Sequence, residues 1–244
     1  MCGINGIYNY SDLSSSLENV KLMNEVSVHR GPDFSGFYND NKVIFGHNRL
    51  SIIDLAKEAN QPFVSSDGNV VLVFNGEIYN FNELKEQLRP NYKFITSSDT
   101  EVLLAAYLKW GNTFVSKLNG MFAFALWDKT KDQFILGRDR LGIKPLYYIE
   151  ANQSVYFSSS INSLMQNKEL SLAVDSDSIK DYLQYGTVHS PETLVSPIKM
   201  LPKSSILIVS EDEWKVDRYY DLINESKNYT TNFKYEDVKQ NKST

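Results

Sequence analysis

From Val43 to Ser158 the chain is crowded with short β-rich runs. The sequence between them lacks the regular helical crossovers that a parallel sheet requires. Val43-Ile44-Phe45-Gly46 and Val70-Val71-Leu72-Val73-Phe74 each end in turn-forming residues, and the second runs straight into Asn75-Gly76, the commonest short hairpin turn signal. Met121 to Trp127, Gln133 to Gly137, Pro145 to Ile149 and Ser154 to Ser158 follow in quick succession, and Ile4 to Tyr8 adds a strand near the start. Helical spacing is confined to a few places: Leu17, Val20, Met23 and Val26 after a Ser-rich lead-in, a short helix through Leu84 and Leu88 capped by Asn82, and Ile161, Leu164 and Met165. The strongest start signal is Ser98-Asp99-Thr100-Glu101, a capping-box pattern before Val102, Leu103, Ala106, Tyr107 and Trp110 that closes on Gly111. Antiparallel sheets covered by helices are therefore expected, an α+β layered domain and not a doubly wound one.

The texture changes after residue 166. A helix with Asp177 near its start runs to Gly186. A stretch from Pro191 to Pro202 then leads into one apolar strand, Ile206 to Val209. From Glu225 the sequence is polar. This divides the chain into a domain over 1–166, a connecting segment over 167–224 and a polar tail over 225–244, the tail reading as a linker to a domain not included here.

Composition removes several function classes. A net charge of -5 and the absence of a Lys/Arg stripe argue against nucleic acid as partner. No apolar run approaches the roughly 20 residues that span a bilayer, and the first residues lack the basic and apolar regions of a secretory leader. A cytoplasmic location is the default expectation, which makes the sequons at Asn224 and Asn228 chance matches. Neither GxGxxG nor GxxxxGK[ST] is present. His29, His47 and His189 have no metal-ligand spacing, so no metal is expected.

There is one cysteine, at position 2, so neither an internal disulfide nor a cysteine-built zinc site can form. A lone cysteine is usually a small buried hydrophobe. At position 2 a second use opens. Removal of Met1 leaves a thiol and a free α-amine on one residue, and an amine with a reference pKa of about 7.7–8.0 can take the thiol proton near neutrality.

The motifs in sequence order favour that second use. Met-Cys-Gly-Ile at the start, His29-Arg30-Gly31-Pro32-Asp33, Arg49-Leu50-Ser51-Ile52-Ile53-Asp54-Leu55 and Asn75-Gly76-Glu77-Ile78-Tyr79-Asn80 come first. Ser98-Asp99-Thr100-Glu101, Leu118 to Ala125 and Arg138 to Tyr148 continue the series. Together they resemble the class II (N-terminal nucleophile) glutamine amidotransferases, specifically the glutaminase domain of glutamine-hydrolysing asparagine synthetases. The resemblance covers residues 1–166 and fades toward Leu222. It implies a four-layer αββα sandwich of the N-terminal nucleophile hydrolase type.

The resemblance also implies roles. Cys2 would be the nucleophile, with its α-amine as base, attacking the side-chain amide of L-glutamine. Asn75 and the backbone N–H of Gly76 would form the oxyanion hole. Arg49 would clamp the substrate's α-carboxylate and Asp99 would pair with its α-ammonium. Leu50, Ser51, Ile52, Ile53 and Glu77 would complete the glutamine pocket. Taken alone, Asn75-Gly76 is equally a plain hairpin turn, Arg49 a surface arginine and Asp99 a helix cap. His29 and Arg30 read as loop-shaping residues.

The family continues into a synthetase domain marked by Ser-Gly-Gly-x-Asp-Ser, which this sequence lacks. ATP and Mg are accordingly expected only in that absent domain, with no cofactor in this chain. The expected partner is a synthetase domain or subunit that accepts ammonia for asparagine synthesis from aspartate, and a homodimer is compatible with the sequence. Two alternatives share the same motifs: ammonia supply for amidation of a cell-surface sugar, or a catalytically silent regulatory module.

Overall fold

A computed structural model describes residues 1–10, 17–211 and 213–229. The chain begins with β1 (Gly3–Asn9), α1 (Leu17–Val26), β2 (Phe34–Asn39), β3 (Val43–Arg49), β4 (Phe63–Val64) and β5 (Val70–Ile78). Helices α2 (Phe81–Leu88) and α3 (Asp99–Trp110) follow, then β6 (Gly120–Asp128), β7 (Gln133–Arg138), β8 (Tyr147–Ala151), β9 (Ser154–Ser158) and α4 (Ile161–Leu164). The remainder comprises β10 (Ala173–Val174), α5 (Ser176–Tyr185), β11 (Val195–Ser196), β12 (Lys199–Met200), β13 (Ser205–Val209), β14 (Trp214–Arg218) and α6 (Leu222–Tyr229).

These elements make two six-stranded sheets, ordered β12-β8-β9-β1-β3-β2 and β14-β13-β7-β6-β5-β4, with every pairing antiparallel. A strand buried on both faces reads as a continuous apolar run, because each parity of side chain finds its own core. In β5, Val71 and Val73 face the other sheet's Ile4, Tyr8 and Phe45, while Val70, Leu72 and Phe74 meet Leu84 of α2, Leu103 of α3 and Phe114 of the 3-10 turn that follows α3. A third core, of Ile7, Ile44, Tyr156, Val20, Met23 and Leu164, joins the first sheet to α1 and α4. Three apolar layers between helix, sheet, sheet and helix give the αββα sandwich.

Several local expectations need correction. Asn75-Gly76 is not a turn: β5 continues to Ile78, paired residue for residue with β6 from Val70↔Asp128 to Ile78↔Gly120. A Cβ on residue 76 would lie 2.3 Å from the Met121 carbonyl oxygen and 2.7 Å from Phe122 Cα. Glycine stands there for close backbone approach, not for turning. Asn80, not Asn82, precedes α2, and its side chain bridges to Asn119 N–H and the Lys117 carbonyl. Only half of the capping box forms. Ser98 Oγ accepts from Glu101 N–H, but the Glu101 carboxylate turns to Ile95 and Thr96.

After residue 166 the expected apolar strand Ile206 to Val209 is present as β13, while β12 and β14 were not expected. Met200 pairs with Tyr147 in the first sheet, and Leu207 pairs with Leu136 in the second, so residues 199–218 extend both sheets. β14 has an exposed, polar pattern, and α6 crosses the expected start of the tail. The Ser-rich lead-in to α1, Thr230 of the second sequon and the rest of the tail lie outside the described residues. Among the described residues no helix is long and apolar enough to cross a membrane.

Leu207 is fully buried in the inter-sheet core. Leu207→Ala is therefore expected to cost about 2–5 kcal/mol in denaturant-induced unfolding. A loss well under about 1 kcal/mol would show that β13 is peripheral to the fold.

Candidate active site

Side-chain parity brings the chemistry-bearing residues to one end of the inter-sheet layer. Cys2 sits one residue ahead of β1 on the parity of Ile4 and Tyr8. Arg49 ends β3 on the parity of Val43 and Phe45, and Asn75 lies in β5 on that of Val71 and Val73. They line a cavity of about 160 Å³ together with Leu50, Ile52, Ile53, Gly76, Glu77 and Asp99. That is below the roughly 300–1,000 Å³ of drug-sized pockets and suits one small metabolite. Ser51 is the exception: its N–H donates to Asp33 Oδ2 at 2.8 Å and it does not line the cavity. Exposed His29 and half-buried Arg30 also stay outside; Arg30 Nε donates to the Cys2 carbonyl at 3.2 Å.

The thiol is held by backbone. Leu50 N–H donates to Cys2 Sγ at 3.4 Å, and Sγ in turn faces the Leu50 carbonyl at 3.7 Å. Burial pushes the thiol's pKa up, and the Leu50 N–H, the chain's amino terminus and Arg49 offset this only in part. A buried neutral thiol needs a base before it can attack. With Met1 in place the nitrogen of Cys2 is an amide; its α-amine exists only after Met1 is removed.

Arg49 is 7% exposed, not a surface residue. Its Nη1 donates to the Ala56 carbonyl at 3.0 Å and to Asn60 Oδ1 at 2.5 Å, and its Nη2 donates to the Asp54 carbonyl. The guanidinium thus organises residues 50–60 into a wall, and Asp54 ties that wall to α3 through Ser97 N–H at 2.9 Å. All three partners of Arg49 are neutral oxygens, so an arriving carboxylate would make a stronger, charge-assisted pair.

Asp99 opens α3 and accepts Ile78 N–H at 3.0 Å on Oδ2. Burial raises its pKa to about 6 against that hydrogen bond and two from its own turn, and Glu77 nearby adds to the rise. Such a carboxylate lacks a cation and gains one when an ammonium binds.

Asn75 is 1% exposed, and its Nδ2 is a buried donor with no partner. The backbone beside it is also open. Phe122 uses its N–H and carbonyl on Asp139, so Gly76, directly opposite, has both backbone groups on the far edge of β5. On that edge Phe74 N–H goes to Gln61 and Ile78 N–H to Asp99. The Gly76 N–H lies between them, beside the unpaired Asn75 amide. Two preorganised donors next to a thiol are what an oxyanion requires.

The sequence had not singled out Asp54, Gln61, Ser98, Thr100, Met121 or Lys144 as cavity residues. Lys144 is 5% exposed with its pKa lowered by burial and then by Arg30, and it makes no ion pair among the described residues. Its motif was visible; its direction was not. Among the described residues no group of three or more His, Cys, Asp or Glu side chains could hold a metal.

Residues 1–220 match a family described as glutamine amidotransferase domain. The chain belongs to that family. Asparagine synthetase [glutamine-hydrolyzing] 1 of Bacillus subtilis is 41% identical to the amidotransferase domain over 216 residues, covering 87% of this chain and 34% of the relative. Asparagine synthetase B of Escherichia coli is 42% identical over 168 residues, covering 68% of this chain and 30% of the relative. The chain therefore spans about a third of these relatives. A glutamine phosphoribosylpyrophosphate amidotransferase structure from B. subtilis superposes with a TM-score of 0.64 at 20% identity, covering 90% of this chain and 49% of that one. The amidotransferase domain shares its fold.

Asp99 also yields a stability test. Its folded pKa of about 6 exceeds the ordinary 3.8, so the folded state binds more protons and stability falls as pH rises from about 4 to about 6. Asp99→Asn is expected to be more stable than the parent at pH 7.5, by roughly 1–3 kcal/mol, with the gap closing toward pH 4. A pH-independent difference would remove the raised pKa from the account.

Proposed function

We propose that the chain hydrolyses L-glutamine to glutamate and ammonia at Cys2. The observation that carries this is the buried, unpartnered Asn75 Nδ2 beside the open Gly76 N–H, in one small cavity with the thiol. An unsatisfied buried donor costs about 1–3 kcal/mol, and an oxyanion at that place repays the cost in the transition state.

After Met1 is removed, the α-amine of Cys2 takes the thiol proton. The thiolate adds to the side-chain carbonyl carbon of glutamine, and the oxygen becomes the oxyanion held by Asn75 Nδ2 and Gly76 N–H. Collapse of the tetrahedral species breaks the C–N bond, and the protonated amine returns its proton to the leaving nitrogen, which departs as ammonia. Water then cleaves the thioester with the amine again as base, restoring the thiol and releasing glutamate. Arg49 receives the α-carboxylate, and Asp99 with Glu77 receives the α-ammonium. Leu50, Ile52 and Ile53 supply the apolar wall.

The ammonia serves an ATP-dependent synthetase domain or subunit, with asparagine as product. Identity with glutamine-hydrolysing asparagine synthetases over most of this chain supports that acceptor. ATP and Mg belong to that domain. A cytoplasmic location follows from the same reading.

Cys2→Ala is expected to abolish glutamine hydrolysis, and Asn75→Ala to lower kcat by roughly 10²–10³ with a small change in KM. Hydrolysis surviving in Cys2→Ala would overturn the proposed nucleophile. An Asn75→Ala effect confined to thermal stability would return Asn75 to a structural part.

A further inference from the structure

An oxyanion donor is useful only if its backbone cannot drift, and β5 carries Asn75 and Gly76 on a stretch with a strand on one side only. β4 pairs with β5 at Phe63↔Leu72 and Val64↔Val71 and goes no further. In continued register Pro62 would face Val73 and Gln61 would face Phe74. Val73 spends its backbone groups on β6, so the next ladder bonds would form between Gln61 and Phe74, and there Gln61 offers Phe74 its side chain instead of its backbone.

Two side chains from other elements take the missing strand's place, both at Phe74. Gln61 Oε1 accepts Phe74 N–H at 2.6 Å, and Gln61 is itself fixed by donating Nε2–H to Thr100 Oγ1 at 3.2 Å. His47, in β3 of the opposite sheet, lies 3.1 Å from the Phe74 carbonyl oxygen through Nε2. A carbonyl can only accept, so Nε2 carries the proton. His47 is fully buried and Gln61 nearly so. Gly36 makes room for this arrangement, since a Cβ there would lie 2.0 Å from the Gln61 carbonyl oxygen.

We propose that His47 and Gln61 are positioning residues for glutamine hydrolysis: Gln61 holds the N–H of Phe74 and His47 its carbonyl, a clamp that fixes the two peptide planes flanking Phe74 and so aims Asn75 Nδ2 and Gly76 N–H at the oxyanion. The inference rests on the function proposed above. His47 acts as a neutral donor; its burial holds its pKa down near 4, and the neighbouring Arg49 charge adds to that. Neither residue donates to the oxyanion, and Arg49, Asp99 and Cys2 do not depend on Phe74 for their own contacts. Loss of His47, which does not line the cavity, should therefore act on kcat and leave substrate affinity alone.

The test uses His47→Leu and Gln61→Met in the full chain, with His47→Gln as the variant that keeps a donor at the same reach. First, Cys2-dependent glutamine hydrolysis is measured in the unaltered chain; its absence would overturn the function proposed above and not the clamp. Given activity, His47→Leu, which leaves the cavity lining intact, is expected to lower kcat about 10- to 100-fold with KM within about twofold, Gln61→Met to lower kcat likewise, and His47→Gln to recover most of the His47→Leu loss. Independently of activity, amide hydrogen exchange at Phe74, whose N–H bonds Gln61, is expected to quicken at least about tenfold in Gln61→Met, with the β6-paired amides of Val73 and Asn75 unchanged. Folded variants with parental kcat, or a folded Gln61→Met with parental exchange at Phe74, would overturn the clamp. So would a loss in His47→Leu that appears wholly in KM.

Discussion

β5 is held along its whole length by β6 but by β4 over two residues only, and the site depends on that inequality. The full pairing makes the strand rigid. The early end of β4 leaves the far-edge backbone groups at Phe74, Gly76 and Ile78 without a strand partner. Side chains then satisfy Phe74 and Ile78, and the Gly76 N–H stays open beside Asn75 Nδ2. Had β4 continued by four residues, the same N–H would be spent in the ladder and no oxyanion could use it.

The rest of the fold brings other groups to that opening. β1 and β3 are neighbours in the facing sheet, which puts Cys2 and Arg49 on the same inter-sheet face. The Arg49 guanidinium gathers the chain from Asp54 to Asn60 around itself, and Asp54 carries the connection to the start of α3, where Asp99 sits. A cation and a buried carboxylate thus flank a thiol and two donors. Each charged group has neutral hydrogen-bond partners in this arrangement, so a zwitterionic amino acid offers both a stronger counterpart than they now have.

Much of the layered architecture was legible because burial on two faces leaves continuous apolar runs, as in Val70 to Phe74 and Met121 to Trp127. Most of the cavity was legible through motifs, with Cys2, Arg49, Asn75, Gly76, Glu77 and Asp99 all brought together. What stayed hidden was set by distant sequence. Asn75-Gly76 has local turn chemistry, but pairing with Phe122 and Ala123 overrides it. Ser51 sits inside a cavity-lining motif, yet its N–H is spent on Asp33. β14 shows no inward-facing alternation, because its described side chains are exposed or half-exposed and β13 supplies the core contacts. Gln61 and His47 carry no local pattern at all; their meaning comes from register, since Gln61 falls opposite Phe74 only once β4 is aligned with β5.

The central claim is a processed thiol beside a preformed glutamine pocket. Intact-mass measurement of the chain before and after incubation with 6-diazo-5-oxo-norleucine, a glutamine-shaped electrophile, addresses both halves at once. The account predicts a starting mass lacking methionine and a single adduct that maps to Cys2. Retained methionine, or an adduct on any other residue, would contradict it.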